Sequence, residues 1–466
     1  MEKITKAHSF ILAGTDAVPV TVECAVTPGI GIHIVGLADT AVKEALLRTV
    51  TALQACGYRI PGKKVIINIA PVASDAARGI SGLDAAIAAA LLAASGQEDL
   101  PLLEEAVIAG ELALDGRMRA IAGCLPAADM MTSRGDTMLV VPSMTEKEAT
   151  ALDRYWPGTK AYAAGSLRDL VSILRGNGDA YTVTTPIDAE DGGRLPEGCL
   201  SENILRGLTI AAGGGFDILL DTDDMQTPNA LASILPDVDE KAVAMIYSAA
   251  GRPQPSQHAP LRRVQATAST MALLGGGPDT APGQVTLAHG GVLCIDDAEV
   301  LPKTLAEALR FVHEDGAVTL KRLRTTVTMP ARFTLVLRTK GRQSTHLAQL
   351  EERMIRVLPG ADATSVTRQR LDAARDAVAA ARVRQQGRGG LNATTPAADL
   401  HSGKDLEDLA GRLIAALGIS ALRYTMLLRV ARTIADIDGK DDVDSAALAE
   451  AAAYLIPMAK PEEKTA

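Results

Sequence analysis

Apolar and polar positions alternate from residue 9 to residue 37, with Val20, Val22, Cys24 and Val26 on one face and Pro28-Gly29 as a turn. Half-buried strands are predicted there. From about Asp39 the period changes: Val42, Leu46, Val50 and Leu53 recur at helical spacing, and Gly57 supplies the stop. Lys64–Ala70 is an apolar run of strand length, and an Ala/Leu helix follows Gly82. Glu111–Arg119 predicts a hairpin through Asp115-Gly116, Met138–Val141 a further strand, and Ser166–Arg175 a closing helix.

Residues 177–200 turn rich in Gly, Asp, Pro and Thr, the composition of a linker. From Ser201 helix and strand alternate: a helix to Ala212, the stretch Ile218–Pro236, a helix over Glu240–Ala250, strand Gly291–Ile295, a helix over Lys303–Val312 and strand Phe333–Val336. That alternation predicts a three-layer α/β unit, because each apolar strand needs helices on both sides. Residues 341–363 read as irregular. From about Ser365 the pattern is mostly helical, with a Gly/Asn/Thr/Pro loop at 387–396.

Composition narrows the class. At 466 residues the chain has room for two or three domains. Apolar residues make up 47% and aromatics only 3%, so the cores rest on Ala, Val, Leu and Ile. Cys24, Cys56, Cys124, Cys199 and Cys294 are scattered with no CxxC pair, which argues against a zinc site or a disulfide framework. The run Ala85–Ala94 is too short to span a bilayer, and Met1–Lys6 leads straight into strand-like sequence. A cytoplasmic location with no membrane partner is expected.

The net charge of −9 is unevenly spread. Between Lys321 and Arg388 fifteen Lys/Arg face five Asp/Glu, which leaves the remainder of the chain at about −19. Such a concentration can be a footprint for nucleic acid. It can equally face an acidic surface of the same or a neighbouring subunit.

Two stretches carry candidate chemistry. Gly290–Asp297 is an apolar strand ending in two acids, the way phosphate-handling α/β domains present a magnesium ligand at a strand end. Ile218–Pro236 is a strand, a loop and a short helix, where a phosphate-cradling loop belongs, yet its loop holds aspartates and neither glycine nor lysine.

Val35–Glu44, Asn68–Pro71, Ala272–Gly277, Pro282–His289, Pro330–Phe333 and Arg432–Asp436 together resemble the magnesium-chelatase-like AAA+ family, in its ComM/YifB group, across nearly the whole chain. The resemblance implies a Lon-protease-like α+β domain over 1–176, a linker over 177–200, an AAA+ ATPase core over 201–364 and a helical domain over 365–466. It also implies ATP-dependent DNA remodelling in transformation or recombination, ATP and magnesium as cofactors, DNA as a partner and a homo- or hetero-oligomeric ring.

Residue by residue, the carry-over is incomplete. The family's GPPGSGKT loop falls on Thr222, Asp223, Asp224, Met225, Gln226, Thr227, Pro228 and Asn229. Its glycines, which let N–H groups form an anion nest, become Thr222, Met225 and Thr227. Its lysine becomes Pro228, which has neither the charge nor the N–H, and its magnesium-binding hydroxyl becomes Asn229. Asp221, Asp223 and Asp224 add negative charge; two like charges about 4 Å apart at a surface repel by roughly 4 kcal/mol.

Other elements are altered too. Asp296 remains as the remnant of a magnesium ligand, with Asp297 where the family has Glu. Arg338-Thr-Lys-Gly-Arg342 replaces the block holding the phosphate-sensing asparagine, and Val264–Thr267 replaces a paired-histidine block. The intersubunit arginine survives as Arg353, and the second sensor arginine shifts by one position to Arg423. Together these losses lead us to expect a pseudo-ATPase with a scaffold or binding role and no cofactor. Two alternatives stay open: an active ATP-dependent translocase or branch-migration helicase, and a nucleotide-independent DNA-binding module using Arg338, Lys340 and Arg342.

Proteolysis is not expected. Ser81 lies near the position of a Lon-type serine, but Ala122–Pro126 lacks the lysine base, and Ser81 reads as an N-cap for the Ala-rich helix.

Overall fold

In a computed structural model, the chain is described over residues 4–36, 40–70, 82–181, 200–221, 226–236, 238–254, 259–277, 280–321, 326–339, 347–358, 366–400, 411–412 and 420–455. The calls on Asp39, Ser81, Thr222, Asp223, Asp224, Met225, Lys340 and Arg342 lie outside the described residues.

The first unit is built on β1 (Ile4–Ala13) and β2 (Asp16–Thr27), paired antiparallel with Ala13 opposite Asp16. Gly14-Thr15 therefore forms a two-residue turn, which the alternation over 9–37 did not reveal. Then come β3 (Ile32–Gly36), α1 (Thr40–Ala55), β4 (Lys64–Ala70) and α2 (Asp84–Ala94). Next are β5 (Ala106–Ile108), the small hairpin β6 (Glu111–Leu112) and β7 (Met118–Arg119), and α3 (Cys124–Arg134). The unit ends with β8 (Met138–Val141), α4 (Glu146–Tyr155), β9 (Lys160–Ala163) and α5 (Leu167–Leu174). The main sheet has the order β3-β4-β2-β1-β5-β8-β9. Alanine explains α2: with almost no side chain, Ala85–Ala90 lets the helix lie against β1 and β2 with every residue from Asp84 to Leu92 buried. This helix begins at Asp84, after Gly82 as expected, with Leu83 at its N-cap and no side-chain cap.

The second unit runs α6 (Glu202–Gly214), β10 (Asp217–Asp221), α7 (Thr227–Ile234), α8 (Glu240–Ala249), β11 (Leu261–Gln265) and α9 (Thr270–Leu274). Short strands β12 (Gly275–Gly276) and β13 (Ala281–Pro282) precede α10 (Gln284–Leu287), β14 (Val292–Asp296), α11 (Lys303–Asp315), β15 (Ala317–Lys321) and β16 (Thr326–Pro330). The unit closes with β17 (Thr334–Thr339), α12 (Ala348–Glu351) and β18 (Met354–Val357). Its five-stranded sheet, in the order β11-β14-β17-β10-β18, is parallel throughout. The expectation of irregular structure over 341–363 is corrected by α12 and β18. Four residues, Met-Ile-Arg-Val, carry too little period of their own, and β18 is defined by its pairing with β10.

The helices that follow, α13 (Arg368–Gln386), Ala421–Ile437 and Ser445–Ala453, share one apolar core with α6, α7 and β10 through Leu208, Leu231, Ile218, Val378, Ile434 and Leu448. Among the described residues no helix is long and apolar enough to cross a membrane.

Candidate functional site

In an open parallel sheet, ligands bind outside the carboxyl ends of the strands where successive connections leave in opposite directions. Here the chain leaves β10 for the far edge at β11, while β17 leads past β10 to β18. Asp221, Asp296 and Thr339 end β10, β14 and β17 at this crevice.

Register decides what happens there. Ile295 of β14 lies opposite Leu337 of β17, so Asp296 and Arg338 are the next neighbours across the same pair of strands. The Arg338 guanidinium donates from Nη1 to Asp296 Oδ1 and forms an ion pair with it. Both residues are buried, 7% and 8% exposed. Arg338, the DNA-binding candidate of the sequence, is thus engaged by a carboxylate of its own sheet. Asp297 follows in the left-handed region (φ 53°), a conformation that Asp tolerates better than most residues, and opens the short turn Ala298–Val300.

The described half of the phosphate-loop stretch is equally closed. Thr227 and Pro228 are buried in the first turn of α7, and Asn229 Nδ2 donates to Gln226 Oε1 at 2.9 Å. Asn229 thus bonds within its own turn.

The two other arginines that the resemblance assigns to a nucleotide are also engaged within the chain. Arg353 donates to Glu314 at 2.7 Å, and Glu314 also takes Arg310. Arg423 donates to the carbonyls of Glu351 at 2.7 Å and Met354 at 3.1 Å, closing the end of α12. Burial pushes its pKa down from the ordinary arginine value.

The same holds for the basic stretch. Of its eleven cations among the described residues, eight have partners in this chain, six of them carboxylates and two main-chain carbonyls. Arg375 and Arg382, two turns apart on α13, donate to Ser233 O and Ala212 O, both at 2.9 Å, at the carboxyl ends of α7 and α6. Cations belong at such ends, where carbonyls lack helical partners. Composition could not show this. The seven-residue spacing beside buried Leu371 and Val378 was the available signal.

Comparison with known proteins matches residues 22–145 to "Subunit ChlI of Mg-chelatase", 201–365 to "Magnesium chelatase, subunit ChlI", and 362–455 to its C-terminal domain. The chain is 32% identical to the YifB protein of Escherichia coli K12 over 96% of each chain. The chain belongs to the magnesium-chelatase-like family. Within that family it is also 30% identical to YifB of Salmonella typhimurium over 96% of each chain. It is 27% identical to the competence protein ComM of Haemophilus influenzae over 95% of each.

Family membership implies magnesium and ATP at this crevice, and the described residues there do not fit them. The carboxylate that would hold the ion holds Arg338 instead. The first turn of α7 offers a buried proline where a lysine would grip phosphate.

Proposed function

We propose that the protein is a nucleotide-independent member of the family, a pseudo-ATPase whose work is to hold partners in place. The observation that carries this reading is Pro228, buried in the first turn of α7. A phosphate-gripping residue must project a charge into the crevice, and this one has no charge and no N–H. The engagement of Arg423 with two backbone carbonyls supports the same reading, since its guanidinium is spent on closing α12.

The ComM relative carries the name of a competence protein, and the role we infer lies beside DNA in transformation or recombination, as a subunit of a ring that assembles without nucleotide. Isothermal titration of the full chain with ATP and magnesium is expected to give no binding heat, and light scattering to give the same mass with and without ATP. Micromolar ATP binding, or ATPase activity that falls on Asp296→Ala, would instead support an active translocase.

A further inference from the structure

Resting on that reading, we propose that Arg338 is a tethered replacement for the divalent cation. Its guanidinium supplies the positive charge that Asp296 would otherwise take from a bound ion, and so joins the carboxyl ends of β14 and β17 permanently.

Three observations carry the idea. Asp296 is a carboxylate at a strand end, buried on all sides, and such a group must be neutralised by a cation or a proton. Among the described residues, Arg338 of the adjacent strand supplies a neutralising charge to it, at the position that parallel register brings alongside. Finally, arginine is the side chain suited to this: it keeps its charge at every accessible pH and tolerates partial desolvation better than an ammonium. Backbone pairing already joins β14 to β17, and here the neutralising charge at their ends is covalently part of β17 rather than a dissociable ion.

The test uses the full-length chain and manganese ion as the probe. Wild-type protein should show the same unfolding midpoint with and without millimolar Mn2+. Arg338→Ala exposes Asp296 as an unpaired buried carboxylate and should lower the midpoint by roughly 10 °C. Millimolar Mn2+ should restore much of that loss. In Arg338→Ala/Asp296→Asn the restoration should vanish. Should Arg338→Ala be recovered only unfolded, refolding with Mn2+ becomes the readout, with the apolar pair Arg338→Met/Asp296→Leu as the control that the strands can pack. A wild-type midpoint that rises with Mn2+ would overturn the proposal, as would an Arg338→Ala variant indifferent to Mn2+ whether folded or refolding. ATP binding by the wild-type chain would refute the pseudo-ATPase reading alone, because it is measured on a protein whose Arg338–Asp296 pair is intact.

Discussion

Arg432 and Asp436, one turn apart on the helix Ala421–Ile437, close a buried ion pair with Nη2 2.9 Å from Oδ1. Asp436 is the hub of a wider network. Its Oδ2 accepts from Asn392 Nδ2 at 2.9 Å and from the Arg388 guanidinium. Asn392 also donates its backbone N–H to Gln385 Oε1 at 2.8 Å, and Gln385 Nε2 reaches Gly213 O at 3.0 Å. The loop after α13 is thereby fastened to the long C-terminal helix and to α6.

Removing the hub takes the carboxylate from Arg432, a buried guanidinium then held only by the carbonyls of Lys440 and Asp441, and from Arg388 and Asn392. Asp436→Ala is expected to cost about 3–5 kcal/mol. Urea unfolding would measure it. A loss under 1 kcal/mol would mean that water replaces the carboxylate and the network is peripheral.

Arg423 closes α12 through two carbonyls, so Arg423→Met should destabilise the chain by about 1.5–3 kcal/mol. The midpoint of chemical unfolding should drop equally with and without ATP. A drop seen only with ATP would return Arg423 to a nucleotide-sensing role.

His313 Nε2 lies 2.8 Å from Asp217 Oδ2, and Asp217 Oδ1 accepts the Leu335 N–H at 2.8 Å. The Asp217 charge holds the His313 pKa above its ordinary value, burial and Arg353 oppose this, and Glu314 adds to it. A raised histidine pKa contributes stability that is complete below the unfolded value of about 6.5 and fades as pH rises through the folded one. Thermal midpoints should therefore fall between pH 6 and pH 8 by more in wild type than in His313→Gln. Parallel curves for the two proteins would show that the pair contributes nothing.

Trp156 is the sole tryptophan of the chain, and it reports on the contact between the two units. Its Nε1 donates to Asp129 at 3.0 Å, and Lys241 of α8 stands 4.8 Å from its ring centroid while also pairing with Asp129 at 2.9 Å. Lys241→Ala should remove about 0.5–1 kcal/mol of cation–π attraction and alter the tryptophan emission before global unfolding. Emission identical to wild type at every denaturant concentration would place the contact outside the docking energy.

Much of the architecture was legible in the residues alone. Helical spacing identified α1, α6, α8 and α11, apolar runs identified β4, β8, β14 and β17, and Arg432 and Asp436 were one turn apart by count. These are local properties, set by side-chain period over a few residues. Family membership was legible too, because its turn residues and helix segments are short blocks in a set order. The substitutions in the phosphate loop could likewise be read by position.

What the residues alone did not decide is where the charges go. Arg338 read as a candidate for DNA, Arg353 and Arg423 as remnants of a nucleotide site, and the 321–388 stretch as a basic footprint. Each guanidinium sits at the end of a long side chain, and its partner is 39 or more residues away for Arg353 with Glu314, Arg338 with Asp296 and Arg382 with Ala212 O. Strand register and helix packing choose such partners, and neither is a property of a window of sequence. The same holds for β18, whose four residues become a strand because β10 offers an edge. Sequence determined the elements and the family, and tertiary structure alone decided which partner each cation takes, since only folding brings a charge and its distant partner within hydrogen-bond reach.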